Sequence, residues 1–382
     1  MYFESSNKWW VARIESFSWS SIHTNVLCFF QEILDQIGPS ITKKTTSFRK
    51  PIQPEVKLAV TLRFFASGDS FESLMFTYRV HSTTIAQFVP IVSEAIIVKI
   101  SHKFLKIPRT KEEWTDLATK TYNRWQFPNC FGAIDGKHVT LRHPQNSGAM
   151  YFNYKSTFSI VMMAIVDYDY KFIYVNVGCQ GRISDGGVFK NTDFYSKMIN
   201  NDLSLPGPQT LPGVEPGSAE YARIPYVMVA DDAFALSENC IKPYPYRGLT
   251  DKERIFNYRL SRMRRVTENA FGIWSNRFRV FAKQNSMSPE NAEKVVLATV
   301  ALHNMLREKS SELYTPSGYV DHYDVQGNLV DGDWRSEGML WNPLKVNPKA
   351  NKAPKTAKDI RDRLAEYFFD QGQVPWQWQT LI

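Results

Sequence analysis

Three carboxylates in this chain stand where oxygen chemistry is commonly built. Asp135 ends the apolar run FGAI, Asp231 ends the apolar run YVMVA, and Glu268 lies within a long stretch of helical spacing. Strand ends of open α/β sheets are where sites form. An ionised acid placed directly after a buried strand needs solvent, a partner or a cation, because an unpaired charge in an apolar setting is costly. If neighbouring strands carry Asp135 and Asp231, and the helix turns Glu268 inward across their ends, three hard oxygen ligands meet. Such a set suits Mg²⁺ or Mn²⁺, and two ions about 4 Å apart activate water and stabilise the leaving oxygen in phosphodiester cleavage. Each acid taken singly also serves as a cap or turn residue. Asp232 adjoins Asp231 and competes with it as ligand, since alternate residues of a strand face opposite ways. Asp185, in GRISDGGVF, stands at a helix start and reads as a cap.

Basic residues crowd the third acid. Arg259, Arg262, Arg264 and Arg265 precede Glu268, and Arg277 and Arg279 follow it. Arg264 and Arg265 share its helix face and form intrahelical ion pairs on spacing alone. The same guanidinium groups are suited to holding a phosphate backbone beside the acids. Lys137 and His138, directly after Asp135, offer two further phosphate donors, with a satisfied strand histidine as the alternative for His138. His303, in LHNM on an apolar helix, reads as structural.

The elements that must position these groups follow from periodicity. CFGAIDGKHVTL, FSIVMMAIVD, KFIYVNVG and YVMVAD are rich in β-branched and aromatic residues and predict four strands. DGGVFKNTDFYSKMI predicts a helix after the third, and the proline-rich stretch around residues 200–225 predicts a long surface loop before the fourth. ERIFNYRLSRMRRVTENAFGIWSNRFRVF and AEKVVLATVALHNMLREK predict two long helices, and AKDIRDRLAEYFFDQGQVPWQW a closing helix with an aromatic tail that packs back. The class is therefore α/β.

Upstream the spacing is helical. VLCFFQEILDQIG, after the pair Trp9-Trp10, predicts a buried helix. PEVKLAVTLRFFASG predicts another, opened by Pro54 and closed by Gly68. SFESLMFTYRV and STTIAQFVPIVSEAIIVKI then predict two helices joined by a tight turn, the second capped by Ser82 or Thr83. That is the outline of a helix-turn-helix, which would turn Thr83, Thr84 and Gln87 towards a DNA major groove; a trihelical scaffold has the same outline. Residues 41–125 hold 14 basic residues against 7 acidic ones, most of the chain's formal net charge of +8. A basic helical module suits a polyanionic partner such as DNA.

Composition sets outer limits. The chain has 382 residues, 43 % of them hydrophobic and 14 % aromatic, which argues against a largely disordered protein. No run of about 18 uninterrupted apolar residues occurs and the first residues lack a signal-peptide pattern, so neither membrane insertion nor secretion is expected. Four widely spaced cysteines without a CxxC predict no disulfide framework and no cysteine-rich zinc site, which fits a reducing compartment.

The ordered series FGAIDGKHV, YFNYKSTFSIVMMAIVD, KFIYVNVGCQGRISDGGVF, VADDAFAL, KERIFNYRLSRMRRVTENAFG and ALHNML, across roughly residues 128–308, resembles the nuclease domain of PIF/Harbinger transposases and the nucleases domesticated from them. The upstream helices and the closing VPWQW are similar to that family too. The resemblance implies a ribonuclease H-like mixed sheet flanked by helices, with a DDE triad that uses divalent metal, Mg²⁺ or Mn²⁺ and by analogy two ions, to cut DNA and join transposon ends. By position it assigns the triad to Asp135, Asp231 and Glu268. Ala230 stands where the family carries glycine and Phe234 where it carries tyrosine; all three acids are kept. The implied organisation is a helix-turn-helix-like DNA-binding region over 1–125, the nuclease domain over 126–310 and an extension over 311–382. Partners implied are transposon-terminal or host DNA, a separate Myb-like DNA-binding protein, and further copies of the chain, with the nucleus as location. The competing expectation is a DNA-binding or scaffolding protein that kept the fold and lost the chemistry.

Overall fold

In a computed structural model, the described residues are 23–47, 50–153, 155–181, 185–214, 223–336 and 353–378. Trp9-Trp10 lie outside them. The chain divides into two compact units, one of residues 1–105 with 277–305, the other of residues 106–276 with 306–382.

In the first unit, helix α1 (His23–Ile41) is followed by α2 (Pro54–Ser67), α3 (Phe71–Tyr78) and α4 (Ser82–Ile96). Proline opens α2, and Gly68 closes it at φ 65°, where an added Cβ would lie 2.5 Å from the Arg279 carbonyl oxygen; only glycine fits there. Ser70 caps α3 by accepting from the Ser73 N–H, and Arg79 ends it in the left-handed region. The cap of α4 is His81, whose ring nitrogen accepts from the Thr83 N–H, rather than Ser82 or Thr83. A π turn at Ile97–Ser101 carries the helical path on to Phe104. By length and composition Ser82–Phe104 could cross a membrane, but half of it is buried. Ile85, Phe88, Val89, Val92 and Ile96 face the bundle made with α1, α2 and α3, so its apolar character is that of a core helix.

The second unit is built on a five-stranded mixed sheet in the order β3-β2-β1-β4-β5. Its strands are β1 (Cys130–Leu141), β2 (Phe158–Val166), β3 (Phe172–Gln180), β4 (Val227–Val229) and β5 (Cys240–Ile241). β2 runs antiparallel to both β1 and β3, while β4 runs parallel to β1 and β5 parallel to β4. Helix α5 (Lys111–Trp125) packs on β1. Its Trp114 meets the Phe131 ring edge-on at 5.0 Å and donates to the Leu203 carbonyl, so this helix, assigned by sequence to the N-terminal region ending at 125, belongs with the sheet. The stretch 185–199 forms two helices, α6 (Asp185–Lys190) and α7 (Asp193–Ile199), because Thr192 caps the second by accepting from the Tyr195 N–H.

One sheet face buries Phe131, Ile134, Val161, Met163 and Ile165 together with Trp114, Val188 and Phe194. On the other, Phe172 of β3 meets Phe271 of α8 (Asp251–Arg277), the ring centroids 5.7 Å apart. The final segments dock on α8. Gly272 lies so close to Trp334 that an added Cβ would fall 2.4 Å from its ring, while the Trp334 indole donates to Asn269 and its carbonyl accepts from Asn276. Gly272→Ala will therefore lower stability by about 1–3 kcal/mol, read as a shift of the urea unfolding midpoint. The closing helix α9 (Lys355–Phe369) sets Phe368 against Phe127 and Phe256.

Candidate active site

Strand register brings the two aspartates together. Ala133 of β1 is paired with Val229 of β4 on parallel strands, and Asp135 and Asp231 each lie two residues further on; Asp231 stands just past the end of β4, whereas Asp135, expected at a strand end, lies in the middle of β1, which continues to Leu141 in its pairing with β2. Asp135 is 4 % exposed and sits opposite Ala164 of β2, on the sheet face away from Val161, Met163 and Ile165. Its Oδ1 accepts from the Gly136 N–H at 2.8 Å, and the Thr267 hydroxyl lies 3.5 Å from its Oδ2. Asp231 is held by a turn in which the Ala233 N–H donates to its Oδ1 at 2.8 Å. Asp232 instead points to solvent and pairs with Lys242 at 3.1 Å, so register and pairing favour Asp231 of the two. Ala230 and Phe234, the departures from the family pattern, are both buried, Phe234 against the ring of Phe189.

Glu268 reaches the pair from α8 and is 8 % exposed. Its Oε1 is bound by Arg264, which also stands 3.8 Å from Asp135 Oδ2. Its Oε2 lies 3.8 Å from Arg265 and 3.5 Å from Arg335. These last two guanidinium groups share a fourth acid, Asp321, fully buried, which pairs with Arg335 and accepts from the Gly332 N–H. Sequence patterning did not single out Asp321 or Arg335. They lie in an irregular stretch, and only contacts across more than fifty residues connect them to Glu268.

The electrostatics follow from burial and like charge. Burial pushes the Asp135 carboxyl up to about 7; Arg264 pulls it back, while Asp231 and Glu268 act in the same sense as burial. Burial raises Asp231 as well, opposed by the Ala233 N–H and Arg264. Burial works against the charge on Arg264, yet Glu268, Asp135 and Asp231 outweigh it and hold the guanidinium charged. Because the folded chain holds the Asp135 proton more tightly than the unfolded chain does, this group's stabilising contribution is present below about pH 4 and lost as pH rises to about 7. In metal-free buffer, Asp135→Asn will therefore gain thermal stability relative to the parent between about pH 5 and about pH 7.5; a constant difference over that range would contradict the assignment.

Other residues proposed from sequence fall differently. Arg262 is 5 % exposed, its guanidinium 4.3 Å from the Tyr323 ring centroid and 4.9 Å from that of Trp376, so it anchors the closing segments instead of facing a phosphate. Arg265 is turned to Glu268, Asp321 and Tyr323, so it too is engaged internally. Arg259 is buried over Phe368 and donates to the carbonyls of Gln126 and Gly372. Lys137 is half-buried over Phe271, and burial draws it down to about 8. His138 meets Ser159 at 2.7 Å, and burial with nearby Lys155 draws it down to about 4, so it is neutral near pH 7. Thr83 and Gln87 are exposed on α4 and Thr84 is half-buried. His303 is buried, as befits a structural histidine. Asp185 begins α6.

Among the described residues no group of three His, Cys, Asp or Glu side chains is assembled closely enough to hold an ion as it stands. The donor chemistry nevertheless fits: the acids are hard oxygen donors, Asp135 and Asp231 are both raised by burial, and the Arg264 guanidinium bridges Asp135 and Glu268.

Residues 134–304 match the family model described as DDE superfamily endonuclease. That defines the class: a DDE-type nuclease domain whose mixed sheet is flanked by helices. Among curated proteins, the chain is 25 % identical to Protein ALP1-like of Arabidopsis thaliana over 78 % of this chain and 72 % of that protein. It is 22 % identical to HARBI1 of Xenopus laevis, named as a candidate nuclease, over 76 % of this chain and 78 % of that one. HARBI1 of Homo sapiens matches at 22 % identity over 75 % and 76 %. No solved structure matches. These matches support a relationship to the PIF/Harbinger family.

Proposed function

We propose that this protein is a divalent-metal-dependent DNA endonuclease or transposase of the PIF/Harbinger type, with Asp135, Asp231 and Glu268 as its cation-holding carboxylates. The observation that carries this is that one guanidinium, Arg264, pairs with both Asp135 and Glu268, 133 residues apart in the chain, while Asp231, two residues past Val229, stands at the register position that matches Asp135. The strand order, with β2 alone antiparallel to its neighbours, supports a ribonuclease H-like core. A bound divalent cation supplies charge neutralisation and activation of water for attack on a phosphodiester. The chain's own part is to align the oxygens: β1 and β4 fix the two aspartates, α8 delivers Glu268, and Arg265 and Arg335 hold one oxygen of that glutamate. The α3–α4 pair, with Thr83 and Gln87 exposed at the start of α4, supports a helix-turn-helix contact to DNA, and a DNA substrate suits a nuclear location.

One observation favours the second reading, a catalytically silent DNA-binding scaffold: both oxygens of Glu268 are already engaged by arginines. Supercoiled plasmid separates the two. Incubated with the full chain and Mn²⁺ or Mg²⁺, it will be nicked, and EDTA will stop the reaction. Plasmid that is retarded on a gel but left intact in Mn²⁺ would favour the scaffold.

A further inference from the structure

The three arginines around Glu268 are not equivalent. Arg265 and Arg335 each have an anchor outside the carboxylate site, the buried Asp321, at 3.6 Å from Arg265 and doubly engaged by Arg335, whose Nε lies 2.8 Å from Oδ1. The ion pairs of Arg264 are with Glu268 and Asp135, and the third carboxylate that raises its pKa is Asp231. It therefore draws on the same oxygens a cation would use. What sets it apart is anchorage and not exposure: its side chain is 22 % exposed against 27 % for Arg335, but Arg335 and Arg265 are pinned by Asp321, sealed at 0 %, whereas the ion pairs of Arg264 are all with the site's own acids.

We infer that Arg264 is the internal counter-ion of the carboxylate site and that a divalent cation binds by displacing it, while Arg265 and Arg335 stay in place on Asp321. In the cation-free chain the guanidinium bridges Asp135 and Glu268 and offsets the repulsion among the acids. With a cation held by these carboxylates, the Arg264 guanidinium would be released from Asp135 and Glu268 and would turn towards solvent. Arg264 thereby sets the cation affinity of the site. This rests on the proposal that the three acids hold a divalent cation.

The test is Mn²⁺ binding to the EDTA-stripped full chain, measured by titration calorimetry without DNA. Arg264→Gln removes the competing charge and will bind Mn²⁺ about tenfold more tightly than the parent. Arg264→Lys keeps the charge and the fold but loses the two-pronged bridge, and will gain less, about threefold; it reports on the site should the glutamine variant fail to fold. Asp135→Ala will lose the binding. If the parent binds Mn²⁺ in an Asp135-dependent manner and neither Arg264 variant binds more tightly, displacement is overturned while the nuclease proposal stands. If neither the parent nor the variants bind Mn²⁺, both are overturned.

Discussion

Asp135→Ala, Asp231→Ala and Glu268→Ala will each lower Mn²⁺-dependent nicking of supercoiled plasmid by at least about 10³-fold, the usual scale for removing a member of a catalytic constellation. Asp232→Ala will keep activity within a few-fold of the parent. The contrast follows from register: Asp231 stands two residues past Val229, the partner of Ala133, whereas Asp232 faces solvent and pairs with Lys242. Gel retardation of DNA will stay within a few-fold in all four variants, because loss of acidic charge does not weaken attraction to phosphate. Nicking that survives in the Asp135 and Glu268 variants would place the chemistry elsewhere.

Asp321→Asn will cost about 3 kcal/mol of stability, the scale for breaking a buried ion pair by removing one partner. The carboxylate has no exposure and receives Arg335, Arg265 and the Gly332 N–H, while its backbone is tied to the Asn269 side chain in both directions. With asparagine in its place the arginines keep their charge, lose their anchor and turn to Glu268 alone. The docking of residues 321–336 on α8 loosens as a result. Urea unfolding followed by tryptophan fluorescence reports this directly, since Trp334 and Trp274 are both buried in this unit. A loss under about 0.5 kcal/mol would show that Asp321 is not the anchor.

Strands β1 to β4 were legible because runs such as FSIVMMAIV and FIYVNVG are long, apolar and β-branched, and the acids that end the apolar runs stood out against them, although β1 itself continues past Asp135 to Leu141. Strand β5 was not, since two residues paired only to β4 leave no periodic trace. The single helix expected over 185–199 is broken in two by a local cap, Thr192, inside an otherwise helical pattern. The arginines of α8 show where composition misleads. A basic residue on an amphipathic helix reads as surface, yet Arg262 lies between Tyr323 and Trp376, and Arg259 over Phe368. Both are covered by segments that come 60 or more residues later, and cation–π contact substitutes for water. The ion-pair network around Asp321 was invisible for the same reason: each member looks ordinary alone, and its role comes from distant pairing.

The most direct measurement is an anomalous difference map from crystals grown in Mn²⁺. It is expected to show density coordinated by Asp135, Asp231 and Glu268, with the Arg264 guanidinium moved off Glu268. A map with manganese bound elsewhere, no peak among these three carboxylates and Arg264 still bridging them would contradict the account.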